Sequence, residues 1–337
     1  MRPSILHLAA LGALLAAFTP FAVSAAPSAK PETVRLAYLN GPRPWILGKA
    51  DGSFGKALGV PVQWINFASG PEALKAVAAG EIDIARAGSV PAAAALARKL
   101  PIEVVAVSGV IDSSERLIAR QSIKSVKELE GRTVTYPAGS TAHYALLAAF
   151  KVHGVDAAKV KQAPLKPADE FAAWKRGDVD AAYVWGPFSS QIESEGGHEL
   201  LRSGQLQKDG YYLFNVYVVS KKFAAEHPDT VSAFLAVFRD TVNRYKANPD
   251  ASAETIAREL GQDVQAVKQT LAGLAFPDIK EQLETAWLGQ GDGESGISKS
   301  LADTARFLAD LGELSNRDLP ASFVPFINSS YIAKAVR

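Results

Sequence analysis

The segment GEIDIARAGSVP, Gly80 to Pro91, returns in altered form as GDVDAAYVWGP, Gly177 to Pro187. Ahead of each stands a helix-patterned run, ALKAVAAG in one case and FAAWKRG in the other, that ends at the glycine. An acidic, hydrophobic, Asp, small-residue stretch follows, and a proline closes the unit. The spacing predicts helix, turn, strand, loop and helix start, twice over. In open α/β sheets ligands bind where strand C-termini feed helix N-termini, so two such corners set face to face make a cleft. Taken alone, a Gly-acid-x-Asp turn is ordinary loop chemistry in any α/β protein.

The chain begins with Met1-Arg2, an apolar run ILHLAALGALLAAF and a small-residue stretch Ala22-Val23-Ser24-Ala25-Ala26. This pattern predicts a secretory signal peptide over residues 1–25, cut after Ala25, and a protein delivered to a bacterial periplasm. The 337 residues contain no cysteine, which excludes disulfides, thiolate metal sites, a Cys nucleophile and a lipid-anchored N-terminal Cys. A domain well above ~80 residues buries enough apolar surface without such staples. The 36 basic and 35 acidic residues balance, and no basic stripe marks a nucleic-acid partner.

Strand patterns stand at TVRLAYL (33–39), VQWINF (62–67), IEVVAVSGV (102–110), SERLIAR, TVTYP, VKQAPL, AAYVW and 215–219; helical runs are expected at 49–58, from Ser69-Gly70-Pro71-Glu72, at 141–153 and at 169–176. After Val219 the pattern turns almost purely helical. The expected organisation is a first lobe over 26–110, a second over 111–216, and a largely helical completion of the first over 217–337. Two crossings then form a two-stranded hinge suited to closure around a ligand.

IDSSERLIAR, GSTAHYALLAAF, DEFAAWKRGDVDAAYVWGP and FAAEHPDTVSAFL, in this order and spacing, resemble periplasmic solute-binding proteins of the aliphatic sulfonate, nitrate and taurine importer family. The likeness covers essentially the whole mature chain and is most distinctive from Ser140 to Pro187. It implies a periplasmic-binding-protein-like type II fold, two α/β lobes joined by a two-stranded hinge. It also implies a binding protein that hands an organosulfonate to an ABC permease with its cytoplasmic ATPase; no cofactor is expected, and the balanced charge and the clamp mechanism are compatible with a monomer.

A sulfonate is a permanent monoanion with three acceptor oxygens, which suits the N–H groups at helix N-termini. Three such termini are written in the sequence: Ser69-Gly70, Gly88-Ser89 and Gly139-Ser140-Thr141; helix capping is the other reading and does not exclude a ligand, and the repeat partner of Gly88-Ser89, Trp185-Gly186, holds the same place in the second lobe, which capping alone does not explain. Trp185 stands at a strand end, as core or as a cleft wall against the ligand's carbon linker. Tyr144 is a second candidate for that wall, His143 a neighbour that orients the loop, and Trp45 either a contributor or an anchor for its own loop. Glu115 matches a carboxylate that the resemblance places at the amine of an aminosulfonate; its other reading is a surface partner for Arg116 or Arg120.

The family's second amine carboxylate falls on Asn215, a departure that costs an ammonium ligand on the order of 1 to 2 kcal/mol and turns the expectation toward hydroxy- or alkyl-sulfonates and sulfate esters. Arg86, a second departure, either faces solvent or adds a fixed cation that favours a ligand with two acidic groups. Nitrate, bicarbonate or a thiamine-precursor pyrimidine are alternative cargoes, and an extracytoplasmic sensor is an alternative role. For an enzyme the sequence offers neither GxSxG nor HExxH; its histidines, at 7, 143, 153, 198 and 227, show no ligand spacing, and Asp178 and Asp180 read as turn and strand-start residues.

Overall fold

The computed structural model describes residues 30–39 and 41–336; the expected signal peptide and its cleavage site lie outside the described residues. Among the described residues the strands are β1 (Val34–Leu39), β2 (Val62–Phe67), β3 (Ile84–Gly88), β4 (Ile102–Ile111), β5 (Glu115–Arg120), β6 (Thr133–Tyr136), β7 (Lys161–Pro164), β8 (Ala181–Trp185), β9 (Gly197–Arg202), β10 (Phe214–Ser220) and β11 (Leu274–Ala275). The helices are α1 (Trp45–Ala50), α2 (Ser53–Leu58), α3 (Gly70–Ala78), α4 (Ser89–Ala97), α5 (Thr141–His153), α6 (Pro167–Arg176), α7 (Phe188–Ser194), α8 (Lys221–Glu226), α9 (Pro228–Ala247), α10 (Pro249–Leu260), α11 (Val264–Ala272), α12 (Gly296–Asp310) and α13 (Ser330–Ala335).

The strands form two sheets, ordered β11-β4-β10-β3-β1-β2 and β7-β6-β8-β5-β9. In the first, β1 runs parallel to β2 and β3, and β10 lies antiparallel between β3 and β4. In the second, β6 is parallel to β7 and β8, while β5 is antiparallel to β8 and β9. Both are mixed sheets flanked by helices, so the molecule has two α/β lobes. The chain passes between them at residues 112–114 and returns through 203–213, and the Ile111 N–H donates to the Leu213 carbonyl (2.9 Å) where the two passages meet.

The repeated unit occupies equivalent places. In the first copy α3 stops at Ala78 and Gly80 turns the chain at φ 75°; in the second α6 stops at Arg176 and Gly177 turns it at φ 82°. Left-handed φ of this kind suits glycine because it has no Cβ. The aspartate three residues on then pins the neighbouring parallel strand: Asp83 Oδ2 accepts the Arg35 N–H at 2.7 Å, and Asp180 Oδ2 accepts the Thr133 N–H at 2.8 Å. Asp180 is thus a strand-start residue, and Asp178 pairs with Arg176 at 2.7 Å.

Two details differ from the sequence expectation. The single helix over 49–58 is two helices, because Gly52 adopts φ 72° and the Asp51 side chain accepts the Ser53 N–H (2.9 Å), which ends one helix and starts the next. Strand β9, GHELLR, was not anticipated; its burial is mostly partial and its pairing with β5 shifts register, so it lacks a clean two-residue alternation. Of the C-terminal helices, α9 packs against α1, α2 and α13, and α12 against α4.

Candidate functional site

The C-terminal ends of β1, β3 and β8 and the N-terminal ends of α3, α4 and α5 converge on one cavity between the lobes. Leu39, Gly41, Arg43, Gly70, Arg86, Gly88, Pro91 and Asn215 line it from the first lobe; Glu115, Ser140, Thr141 and Trp185 line it from the second. Ile111 and Ser114, at the crossing, close its rear. It offers about 40 Å³ to the centres of water-sized molecules, room for about three waters. The lobes meet tightly around it: a Cβ on Gly88 would lie 2.8 Å from Thr141 Cγ2, and one on Gly41 3.6 Å from the Gly186 carbonyl oxygen.

The second lobe supplies an acid and a helix terminus. Glu115 is 2 % exposed; its Oε2 accepts from Thr141 Oγ1 (2.6 Å) and its Oε1 from Ser203 Oγ (2.9 Å). Because the Ser203 proton is committed to Glu115, the Tyr183 hydroxyl 3.1 Å away is the donor in that contact, and a relay Tyr183 to Ser203 to Glu115 results. Burial pushes the Glu115 carboxyl up to about 7, against the opposing pull of Thr141, Ser203 and Arg43. Arg116 pairs instead with Glu193 (2.6 Å) and Glu199 (3.6 Å), and the Arg120 guanidinium lies 3.8 Å over the Trp174 ring, so Glu115 serves neither.

The α5 terminus is built by Ser140, whose Oγ accepts the His143 N–H (3.2 Å) and donates to the Pro137 carbonyl (2.6 Å). His143 stacks on Tyr136 and its Nδ1 accepts the Gly139 N–H (3.3 Å), which fixes the loop ahead of the helix. Trp185, half-buried, ends β8 directly opposite Glu115 in the β5 register.

The first lobe supplies cations. Arg86 is 4 % exposed and Arg43 7 %. Neither forms an ion pair with a described carboxylate, and the Nε of each has no hydrogen-bond partner among the described residues. Among the described residues Arg43 donates only to the Pro42 carbonyl (2.6 Å). Burial drags the Arg86 guanidinium down to about 10; burial first, then repulsion from Arg86, holds Arg43 well below the usual arginine range. Asn215, paired in register with Gly88, contributes an unpartnered Nδ2.

Seven of the ten residues expected from sequence therefore share this cavity: Gly70, Gly88, Glu115, Ser140, Thr141, Trp185 and Asn215. Three do not line it. Ser69 caps α3, accepting the Glu72 N–H at 3.4 Å. Ser89 is fully buried and its Oγ accepts the Phe214 N–H at 3.5 Å, beneath the cavity. Tyr144 stands one turn past Thr141 and is directed instead at Phe307 (4.9 Å between rings) and Tyr211 (5.9 Å). Trp45 stacks on Trp64 at 4.9 Å and anchors its loop. Arg86 faces the cavity rather than solvent. Arg43 went unnoticed in the sequence, although its place between two prolines just past β1 marks a loop at a strand's C-terminal end.

The NMT1/THI5-like family model matches residues 44–252. The Taurine-binding periplasmic protein of Escherichia coli K12 is 34 % identical over 287 residues, which span 83 % of this chain and 87 % of that protein. Among solved structures, the alkanesulfonate-binding protein SsuA from Xanthomonas axonopodis pv. citri, bound to MOPS, superposes with a TM-score of 0.74 at 22 % identity over 89 % of this chain and 99 % of its own. The desulfurization enzyme DSZB has the same fold, with a TM-score of 0.63 at 14 % identity over 91 % of this chain and 99 % of its own. By the extent of the family match and the identity across most of both chains, this protein belongs to the NMT1/THI5-like family, as a relative of the periplasmic taurine-binding protein.

Proposed function

We propose that the protein is the periplasmic solute-binding component of an ABC importer, which captures a small organosulfonate between its lobes and delivers it to a membrane permease and its ATPase. The observation that carries this reading is the convergence on one cavity between the lobes of two buried guanidinium groups, the α5 N-terminus and the Asn215 amide. Each is a donor, and a sulfonate is an acceptor with three oxygens whose charge no physiological pH removes. Trp185 supplies an apolar wall for a short carbon linker. The names of the taurine-binding and alkanesulfonate-binding relatives support the same class of cargo, and the periplasmic relative supports the compartment.

The lobe division we adopt sets the boundaries at the crossings, 112–114 and 203–213, so that Ile111 of β4 and residues 214–216 of β10, expected in the second lobe, belong to the first. Binding and release, with no chemical step, is the role that the names of the taurine-binding and alkanesulfonate-binding relatives support; of the cavity's hydroxyls, Ser140 gives its proton to the Pro137 carbonyl and Thr141 gives its own to Glu115. The clamp is complete within one chain, which suits a monomer.

Melting curves of the mature protein test the assignment against ethanesulfonate, isethionate, taurine, a sulfate ester and nitrate. A true ligand at 100-fold over its Kd adds ~2.7 kcal/mol to the native state, a rise of several degrees. Stabilisation by one or more sulfonates is the expected result. A rise with nitrate and none with any sulfonate would replace the cargo, and turnover of the sulfate ester would replace binding with catalysis.

A further inference from the structure

The charges of the cavity are not matched to a simple alkanesulfonate. Arg43 and Arg86 are more than nine-tenths buried, repel one another, and meet no described carboxylate in an ion pair. Burying a charge without a partner is costly, so a pair of such groups marks a place where a ligand supplies the missing anions. The one acid in the lining, Glu115, is hydrogen-bonded by Thr141 and Ser203 of its own lobe; its charge acts on Arg43 through space without an ion pair, and burial raises its carboxyl to about 7, so it offsets the two guanidinium groups only in part. Among the described residues, the buried unpartnered side-chain atoms of the lining are all donors: Arg43 Nε, Arg86 Nε and Asn215 Nδ2.

These donors are also spread along the cavity. Arg86 stands two residues before Gly88 on β3, about 7 Å back along the strand from the corner where Gly88 faces Thr141. In the neighbouring strand Tyr217 pairs with Arg86, and Asn215 with Gly88. One anionic group at the Gly88–Thr141 corner leaves a guanidinium at the Arg86 end without a counter-charge. A ligand with acidic groups at both ends of a one- or two-carbon linker reaches both places.

Resting on the organosulfonate reading of this cavity, we infer that the cargo is a short sulfonate bearing a carboxylate as a second acidic group, with Arg43 and Arg86 as the residues that select for it. Charge-assisted pairing of the added carboxylate with a buried guanidinium corresponds to a gain in affinity of at least about tenfold.

Isothermal titration of the mature protein at neutral pH with sulfoacetate, 3-sulfopropanoate, ethanesulfonate and taurine decides the point. Sulfoacetate or 3-sulfopropanoate is expected to bind at least about tenfold more tightly than ethanesulfonate, and the ratio is expected to fall toward one in Arg86→Gln and in Arg43→Gln. Ethanesulfonate or taurine binding as tightly as both carboxylated compounds would overturn the inference and leave the organosulfonate assignment standing. Binding of none of the four would remove both. The wild-type comparison is decisive even where a glutamine variant fails to fold; Arg86→Lys, which keeps the charge, is expected to retain more of the preference than Arg86→Gln, and equal loss in the two would also count against it.

Discussion

Glu115 shows how one residue of the cavity lining carries a stability signature. Its carboxyl is raised from 4.5 to about 7, chiefly by burial, while Thr141, Ser203 and the charge of Arg43 pull the other way and Tyr183 stands behind Ser203. The folded protein holds this proton more tightly than the unfolded chain does. The stability it contributes is therefore fully present below about pH 4.5 and is lost as pH rises through 7, a change of about 3 kcal/mol. In the ligand-free protein, Glu115→Gln is expected to flatten the decline in stability between about pH 5 and 8, measured by denaturant unfolding at a series of pH values. An unaltered slope in the variant would mean that the carboxyl sits in a wetter setting than the one described.

At the scale of elements, the site is a matter of which turns and helix ends come together. Gly88 has φ −70° and ψ 156°, a conformation open to alanine, so Gly88→Ala meets no backbone penalty. The obstacle is across the cleft, where Thr141 Cγ2 would be 2.8 Å from the new Cβ. The variant is expected to melt near the wild-type temperature without ligand and yet bind a sulfonate on the order of tenfold or more weakly, as overpacking of 1 to 3 kcal/mol implies. Adding Thr141→Ser, which removes Cγ2 and keeps the hydroxyl to Glu115, should recover part of the loss. Titration calorimetry checks both, and no recovery would show that Gly88 acts through something other than this contact.

The same corner explains what was legible in the chain. The repeat around Gly80 and Gly177 carries its own turn glycines and strand-pinning aspartates, and the Ser140 cap is written one residue before α5, so the corners could be read from local chemistry. Glycine and short polar side chains have few roles, and their spacing limits which. Arg43 was invisible because its setting beside Arg86 and Glu115, 43 and 72 positions along the chain (86 minus 43 and 115 minus 43), lies beyond any local pattern. Tyr144 was misdirected for a related reason: its partner Phe307 lies 163 positions along the chain (307 minus 144), beyond any local pattern.

For the whole molecule, the question is what holds the lobes together. Glu72 on α3 and Lys166 ahead of α6 bridge them at 3.4 Å, but both side chains are about half exposed, and such a pair contributes only about 0.2 to 1 kcal/mol. Ser190 of the second lobe donates to Gln269 Oε1 of the first at 2.9 Å, also near solvent. By contrast Phe307, on α12 of the first lobe, meets Tyr144 of α5 and Tyr211 in edge-to-face contacts that are largely buried. Aromatic pairs of this kind add about 0.5 to 1.5 kcal/mol each beyond the area they cover. Closure around a ligand should therefore lean on the aromatic contact far more than on the rim ion pair. Lys166→Ala is expected to change Kd for a bound sulfonate by less than about fivefold, and Phe307→Ala to weaken it by about tenfold or more, compared by calorimetry at one salt concentration. Circular dichroism of the free Phe307→Ala protein separates a weakened clamp from a lost fold. Equal, small effects of the two substitutions would mean that the Phe307 contact persists in the open form and that the hinge turns about it.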